Sequence, residues 1–231
     1  MLKRILIGMF TAAAERNRAN ILKLAGLKSA LSMLDLGCDN GQWTLQVAHR
    51  AGATKICGIE INADAVELAR NNGIQVTVAD LRDRLPYEDG NFDLVHSNQV
   101  IEHVPDVDQF AREAFRVLKP GGRLVLSTEN GSSWHNIFAA ILGWQIFSLT
   151  NLSSLQSGVG NPLALHRGTS EFTSSWTHKV IFNYRGLIEF LELHGFRNIE
   201  VRGAGYYPLP SFLGGLDPRH AHFLTVSAEK K

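Results

Sequence analysis

Residues Met33 to Ala48, MLDLGCDNGQWTLQVA, carry the pattern from which the architecture can be inferred. A mainly apolar run leads into Gly37 and Gly41, and an apolar pattern with helical spacing follows. This order predicts a strand, a tight turn and a helix, with backbone amides and the positive helix end at the carboxyl edge of a sheet. Glycines there allow a tight turn and a close approach to a ligand, since they have no Cβ. The stretch predicts a binding loop in a parallel α/β fold.

Short apolar runs alternate with helical patterns along the chain, as in consecutive βαβ units. Strands are predicted at MLDLG (33–37), KICGIEI (55–61), IQVTVAD (74–80), FDLVHS (92–97), RLVLST (123–128), FRNIEV and AHFLTVSAEK. The alternation in the last of these predicts a strand with one more exposed face. Helices are predicted at GQWTLQVAHRAG, NADAVELARNNG, VDQFAREAFRVLK and YRGLIEFLELHGF, with an Asn N-cap on the second and KPGG (119–122) ending the third.

Length and composition favour one domain over residues 1–231, because 45% hydrophobic side chains suffice for one substantial core. A net charge of +1 disfavours nucleic acid as a partner. Cys38 and Cys57 cannot form a disulfide framework, which favours a reducing cytoplasm. The opening MLKRILIGMFTAAAER imitates a secretory signal, but Gly8 interrupts its apolar run. We interpret it as a surface helix that continues to a stop at Gly26.

An acidic residue lies at the end of each of the next two predicted strands. Glu60 lies 23 residues after Gly37, a spacing that brings a carboxylate to the hydroxyl pair of a ribose. Asp80 follows 20 residues later, where it could accept from the exocyclic amine of adenine. A dinucleotide site would require GxGxxG, whereas this chain has Asp39 and Thr44 at the corresponding places. The residues therefore predict an adenosine ligand without a required pyrophosphate.

With these motifs in place, the sequence resembles the class I S-adenosylmethionine-dependent methyltransferases, in particular the small-molecule group that includes quinone O-methyltransferases. The resemblance covers about Leu31 to Asn130 and rests on LDLGCDNG, GIEIN, VAD, FDLVHSNQVIEHV and REAFRVLKPGGRLVLST, five motifs in order. It implies a Rossmann-like, mostly parallel seven-stranded sheet with helices on both faces and a helical lid inserted after the fifth strand.

The resemblance also implies a cofactor site for S-adenosyl-L-methionine. Asp35 and Gly37 would lie beside its methionine part, Glu60 would hold the ribose, and Asp80 and Leu81 would flank the adenine. The full predicted set is Asp35, Gly37, Cys38, Gly41, Trp43, Glu60, Ile61, Asp80, Leu81, Ser97, Asn98 and Gln99, the last three at the methyl-donor end. Trp43 could equally pack in the core or form a wall of the cofactor site. Cys38 would contribute only its backbone.

Methyl transfer mainly requires that the acceptor atom, the methyl group and the sulfur are aligned. An acceptor that carries a proton still needs a base, for which histidine is suited. His103, just past the fourth strand, and His178 are the candidates, although His103 could equally be a packing residue. The related quinone enzymes have ExxEH at this place and use it for a divalent metal, whereas this chain has Gln99, Glu102 and His103. Because one carboxylate is missing, we predict no metal.

Residues 129–180 are predicted to cover the acceptor, with AGYYPLP (204–210) near the cavity mouth. Their aromatic, histidine and arginine side chains suit an apolar acceptor with a polar or anionic handle, for which Arg167 is the candidate partner. The predicted substrate residues are Trp134, His135, His166, Arg167, Trp176 and Tyr206. Two alternatives are that Ile137 to Leu149 is simply a core helix, or that this 13-residue apolar stretch contacts a membrane surface.

Taken together, the sequence predicts a cytoplasmic methyltransferase acting on a small or lipid-like acceptor, most readily on oxygen. A nicotinamide-dependent oxidoreductase is disfavoured because GxGxxG and a hydride-transfer pair are absent. A cofactor-binding module without turnover remains an alternative, since an intact cofactor loop does not prove transfer.

Overall fold

The computed structural model describes residues 2–26, 31–169 and 176–231. Six helices and seven strands follow one another there, joined by turns and short 3₁₀ segments. In chain order they are α1 (Leu2–Ala25), β1 (Leu31–Leu36), α2 (Gln42–Ala51), β2 (Ala53–Glu60), α3 (Ala63–Asn71), β3 (Gln75–Val78), β4 (Phe92–Asn98), α4 (Val107–Val117), β5 (Leu118–Glu129), α5 (Trp134–Ile141), α6 (Tyr184–Leu193), β6 (Phe196–Ala204) and β7 (Phe223–Lys230).

The strands form one sheet in the order β3-β2-β1-β4-β5-β7-β6. The four strand pairs β1/β2, β1/β4, β2/β3 and β4/β5 are all parallel. Asp35 of β1 is opposite Gly58 on one side and His96 on the other. Because the carboxyl ends of parallel strands meet at one edge, the predicted loop after β1 and the acid that ends β2 lie at the same edge. The predicted α/β, mostly parallel seven-stranded fold is confirmed.

One expectation about β7 is wrong. The alternation in AHFLTVSAEK predicts a strand with a more exposed face, whereas all residues from Phe223 to Ala228 are buried. The reason is the strand order, since β7 lies between β5 and β6 and is not at an edge. A strand inside a sheet can be covered on both faces whatever the polarity of its alternate residues.

Local signals placed the helix ends correctly. Asn62 caps α3, and its side-chain oxygen accepts from the amides of Asp64 and Ala65. Gly26, with φ of 73°, follows the last residue of α1 as expected. The predicted stop of α4 at KPGG is wrong, because the helix ends at Val117, β5 begins directly at Leu118, and the proline and glycines belong to the strand.

Two compact units make up the chain. The parallel unit comprises Ile21–Ser127, Ile188–Glu200 and Val226–Lys231, and the aromatic unit comprises Met1–Asn20, Thr128–Leu187 and Val201–Thr225. A core of the parallel unit contains Ile21, Leu24, Met33, Val47, Leu94 and Val125, among others. A smaller core of the aromatic unit contains Ala13, Ala204 and Phe223.

Among the described residues, none of the helices combines the length and the apolar composition that crossing a bilayer requires. The expectation of a single domain with a covering segment at 129–180 stays a prediction. Within that segment the described residues form α5, a 3₁₀ turn at Phe147–Leu149 and further turns.

Candidate functional site

The loop after β1 depends on backbone conformations that glycine adopts easily. Gly37 and Gly41 have φ of 79° and 80°, in the left-handed region. A Cβ on Gly37 would lie 2.6 Å from a methyl carbon of Val100, and one on Gly41 would lie 2.4 Å from a methyl carbon of Ile74. Asp39, where the resembling family more often has glycine, is also left-handed with φ of 46°. The loop therefore keeps the left-handed conformation at this position with an aspartate in place.

Glu60 is held beside this loop by three backbone amides. Its Oε2 accepts from the amide of Asp39 at 3.0 Å, and its Oε1 accepts from the amides of Ile61 at 2.8 Å and Asn62 at 2.9 Å. A carboxylate has about four acceptor sites, so with three amides bound this one keeps a site on Oε2 for a ribose hydroxyl. The half-buried carboxylate and the adjacent exposed Ile61 side chain therefore fit the adenosine predicted from the spacing.

Asp80 lies two residues past β3 and is already paired. Its carboxylate accepts from Arg82 Nε at 2.9 Å and Nη2 at 2.6 Å, and from the Arg82 amide at 2.9 Å. The hydrogen bond from Arg82 lowers the pKa of Asp80 despite partial burial. Leu81 is half-buried between them. Sequence reasoning missed Arg82, although its position two residues after the acid was visible.

Asp35 is the centre of a buried polar group in the parallel unit. Its Oδ2 accepts from the Thr44 hydroxyl at 2.6 Å and its Oδ1 lies 2.7 Å from His96 Nδ1. All three side chains are almost inaccessible to solvent. Asp35 thus ties β1, α2 and β4 together under the loop, and sequence reasoning missed its two partners. The signal in the sequence was a histidine within the predicted strand FDLVHS.

The end of β4 shows a second strained residue. Gln99 has φ of 56°, its amide donates to the Ser127 carbonyl at 2.8 Å, and its side chain donates to the Ser127 hydroxyl at 3.1 Å. Ser97 is buried and donates its hydroxyl to the Leu36 carbonyl at 3.0 Å, so it links β4 to β1. Asn98, half-buried, ends the strand. Non-glycine residues held in the left-handed region cluster at functional sites.

Cys38 and Trp43 both take part in packing. Cys38 is buried, and a Cβ on Gly58 would lie 2.5 Å from its sulfur. Burial, together with the charges of Asp35 and Glu60, raises the pKa of this thiol to about 12. Trp43 packs against the core of the parallel unit, which favours the core interpretation over the cofactor wall.

The two predicted bases lie in different units. His103 is half-buried at the end of a 3₁₀ turn, Ile101–His103, in the parallel unit. His178 belongs to the aromatic unit, where its Nδ1 lies 2.5 Å from the Ser148 carbonyl oxygen. Because a carbonyl only accepts, Nδ1 is the nitrogen that carries the proton in this hydrogen bond.

Aromatic and imidazole rings gather in the aromatic unit. The rings of His135 and His222 stack with centroids 4.6 Å apart, and Tyr207 contacts both at 5.0 Å. Burial, followed by the charge of His222, lowers the pKa of His135 well below its usual value, so this ring is neutral. Burial and the charge of Glu129 raise the pKa of Tyr207.

A second group in this unit surrounds Asp217. The carboxylate accepts from the Tyr206 hydroxyl at 2.8 Å and from Arg219 Nε at 2.8 Å, and lies 2.7 Å from His220 Nδ1. Trp134 stacks on the His220 ring with centroids 4.3 Å apart. The predicted substrate residues Trp134 and Tyr206 are therefore joined through Asp217 and His220, neither of which was predicted.

The other predicted substrate residues lie at the surface. His166, Arg167 and Trp176 are exposed. The Arg167 guanidinium donates to the carbonyls of Asn161 at 2.9 Å and Gly158 at 3.4 Å, so it braces its own loop. The alternative of a core helix over Ile137 to Leu149 is wrong, because α5 ends at Ile141 and the side chains of Phe138, Ile141 and Leu142 are exposed.

Comparison with known proteins agrees with this geometry. The methyltransferase domain family matches residues 27–162. The 27-O-demethylrifamycin SV methyltransferase of Amycolatopsis mediterranei is 37% identical over 117 residues, covering 45% of this chain and 42% of that protein. The demethylmenaquinone methyltransferase of Lactococcus lactis is 34% identical over 115 residues, covering 47% of this chain and 46% of that protein. The matches thus span somewhat under half the length of these curated relatives.

Solved structures share the fold. An S-adenosylmethionine-dependent methyltransferase from Mesorhizobium loti superposes with a TM-score of 0.60 at 23% identity, covering 96% of this chain and all of that one.

Proposed function

Because this chain belongs to the methyltransferase domain family, we propose that it transfers the methyl group of S-adenosylmethionine to an oxygen of a small or lipid-like acceptor. S-adenosylmethionine is the cofactor of this domain. The observation that carries the proposal is Glu60, whose carboxylate is oriented by three amides beside a left-handed glycine loop. When bound, the cofactor supplies a methyl group already activated by the sulfonium.

The chain's own residues then have to bind the cofactor and orient it. Glu60 would accept from a ribose hydroxyl, and the Asp35 group keeps the glycine loop in place. Asp80 and Leu81 would flank the adenine, with Arg82 holding the Asp80 carboxylate. Asn98 and Gln99 at the end of β4 would face the methyl-donor end. Gly37, Cys38, Gly41, Ile61 and Ser97 would shape the loop and the strand end, and Trp43 supports them from the core. Alignment of this kind supplies much of the rate of a transfer between two bound groups.

A histidine takes the proton of the acceptor in this scheme. The hydrogen bond from Nδ1 of His178 to the Ser148 carbonyl supports that role, since it fixes the orientation of the ring. His103 is the second candidate. Both are half-buried, which suits a group that has to meet a substrate.

The acceptor class is supported by the aromatic unit and by the relatives. One relative is named for an O-demethylated rifamycin and the other for demethylmenaquinone, both small molecules. Trp134, His135, Tyr206, His166, Arg167 and Trp176 supply aromatic and polar contacts for such an acceptor. A cytoplasmic enzyme that touches a membrane surface through α5 would reach a lipid-like acceptor, and the exposed Phe138 and Ile141 side chains favour this.

The first experiment is calorimetric titration with S-adenosylmethionine and, separately, with NADH. We expect binding of the first alone, weakened at least 10-fold in Glu60→Ala, because a hydrogen bond from a ribose hydroxyl to a charged carboxylate contributes about 1.5–3 kcal/mol. Glu67→Gln, an exposed carboxylate on α3, is the matched control and should bind as the parent does. Binding of NADH alone would overturn the proposal in favour of an oxidoreductase.

The second experiment is methyl transfer to a panel of hydroxylated aromatic compounds. His178→Ala and His103→Ala are compared with the parent at several pH values. Loss of turnover without loss of cofactor binding identifies the base. Equal rates in all three proteins would mean that alignment alone suffices, and cofactor binding without any transfer would favour a non-catalytic module.

A further inference from the structure

Glu129 and His222 form a pair in the aromatic unit to which the transfer scheme above gives no role. Glu129 is the last residue of β5, and its Oε1 lies 3.7 Å from His222 Nε2. The side chains of His222 and Glu129 are 8% and 18% exposed. The carboxylate therefore keeps a small accessible surface while the imidazole behind it is enclosed.

The imidazole of His222 is fixed but unsatisfied. Its amide donates to the Gly205 carbonyl at 3.0 Å, and its carbonyl accepts from the Asn130 amide at 2.8 Å. The rings of Phe10, His135, Tyr207 and Phe223 surround it. Across the described part of the chain, neither ring nitrogen has a hydrogen-bond partner. Buried polar groups without a partner are costly in free energy and need an explanation.

The carboxylate of Glu129 is prepared to stay charged. Burial opposes its ionisation, but the facing His222 imidazole, the charge of His178 and the Ser148 side chain outweigh it and lower the pKa of Glu129 to about 2. The neutral His135 ring and the Tyr207 hydroxyl complete the surroundings. A carboxylate in this state accepts hydrogen bonds and attracts cations, but takes up protons poorly at neutral pH.

We propose that Glu129 binds the acceptor by accepting a hydrogen bond from its hydroxyl or amine, and that His222 is the residue that positions this carboxylate. The inference rests on the proposed function and names the acceptor class more closely. Acceptors with a hydroxyl or ammonium group are favoured, and acceptors with a carboxylate are rejected because two like charges would meet in a poorly hydrated place.

The position of Glu129 in the fold supports this role. It ends β5, and the carboxyl ends of parallel strands form the edge where α/β folds bind their ligands. The end of β5 is therefore a place where a carboxylate can meet a bound ligand.

The test is binding of three naphthalene probes in the presence of saturating S-adenosylhomocysteine, measured by ligand-observed NMR titration. The probes are 2-naphthol, (2-naphthylmethyl)ammonium and 2-naphthoate. We expect the first two to bind at least 10-fold more tightly than the third, and Glu129→Gln to reduce the preference for the ammonium probe over the carboxylate probe at least 10-fold. Equal affinities in the parent, no binding of any probe, or an unchanged preference in Glu129→Gln would each overturn the proposal.

A second variant tests the positioning role and remains informative if Glu129→Gln folds poorly. In His222→Phe the ring shape is kept but the imidazole is lost, so burial dominates and the pKa of Glu129 rises. Binding of the ammonium probe should then weaken as the pH falls from 7 to 5, while the parent's binding stays constant over that range. An unchanged pH profile in a variant that unfolds at the parent's temperature would remove His222 from this role.

The two proposals fail in different ways. Cofactor affinity, measured by calorimetry, should be the same in the parent, Glu129→Gln and the control Glu67→Gln. If the parent does not bind S-adenosylmethionine, the proposed function fails. If it binds and transfers methyl groups but shows no probe preference, only the role of Glu129 fails.

Discussion

The parallel unit and the aromatic unit differ in what they leave at the surface. Of the large apolar side chains that are exposed in the described part of the chain, four lie in the parallel unit, namely Ile61, Leu68, Val78 and Leu193, whereas fourteen lie in the aromatic unit. Exposed apolar side chains mark a binding surface where they form a contiguous patch. The difference agrees with our proposal that the parallel unit binds the cofactor through backbone and carboxylates, and the aromatic unit binds the acceptor through rings.

Both units contain a buried imidazole beside a carboxylate. In the parallel unit, Asp35 accepts from the Thr44 hydroxyl and lies 2.7 Å from Nδ1 of His96, whose Nε2 has no hydrogen-bond partner among the described residues. In the aromatic unit, both ring nitrogens of His222 lack such a partner in the described part of the chain. The units differ in the carboxylate, since Asp35 is 2% exposed and serves the fold, whereas the Glu129 side chain is 18% exposed.

The largest effect is expected at the centre of the parallel unit. Asp35→Ala leaves the Thr44 hydroxyl and the His96 Nδ1 buried without their partner and should lower the free energy of unfolding by about 3 kcal/mol. Urea unfolding followed by circular dichroism measures it. Asp64→Ala, an exposed acid in the first turn of α3, is the control. A loss below about 1 kcal/mol would remove Asp35 from the centre of this unit.

The next largest effect is expected at a glycine of the parallel unit, and a glycine of the aromatic unit serves as its comparison. Gly41→Ala places a Cβ against Ile74 at a left-handed φ and should cost about 2 kcal/mol of stability together with cofactor affinity. Gly143→Ala, after α5 in the aromatic unit, has a similar φ of 72° but no atom within 4 Å of the new Cβ. Gly143→Ala should therefore lower the free energy of unfolding by about 1 kcal/mol. Equal losses would show that conformation alone, and not packing under the loop, makes Gly41 necessary.

Acid sensitivity should be shared by both units. Burial opposes ionisation of Asp93 and Asp217, but Lys119 and Ser32 around the first, and His220, Arg219 and Tyr206 around the second, lower each pKa to about 2. Because these folded-state pKa values lie below the usual 3.8, the stabilisation is present above pH 4 and is lost as the pH falls towards 2.

Asp93→Asn and Asp217→Asn should each remove part of this acid dependence, by about 1 kcal/mol after solvent screening. Thermal unfolding at pH 7, 4 and 3 measures it. A variant that is as acid-sensitive as the parent would show that its carboxylate has no such role.

The smallest effect is expected at the exposed apolar surface. Phe138→Ser in α5 should change the free energy of unfolding by no more than about 0.5 kcal/mol, because the side chain is already 55% exposed. Binding of 2-naphthol or of phospholipid vesicles should fall. A large loss of stability without a change in binding would mean that this surface is packing, and the contrast between the units would disappear.

Sequence reasoning reached most of the parallel unit because its signals are local. Gly37, Gly41, Glu60 and the Asn62 cap follow from spacing and from the ends of elements. The partners of Asp35 could not be found in this way, since His96 meets it only through strand register, 61 residues away. Asp39 shows another limit, because an aspartate can adopt the left-handed conformation that the motif assigns to glycine.

In the aromatic unit the signals are long-range and the predictions were correspondingly incomplete. Trp134 and Tyr206 were chosen for their chemistry, but Asp217 and His220, which connect them, come from a stretch with no motif. Glu129 and His222 are 93 residues apart in sequence, and only the fold brings them together. The burial of β7 was missed for the same reason, since the alternation of polar and apolar residues along a strand does not reveal the order of the strands in the sheet.

The strand order has a consequence for synthesis. Among the strands that the structure describes, β6 has only β7 as a neighbour in the sheet, and β7 is translated after it. On the ribosome β6 must therefore wait, with its backbone groups unpaired, until residues 223–230 have emerged and can pair with β5. His222 immediately precedes that strand, so the carboxylate of Glu129 would face its imidazole only after the rest of the sheet has been made.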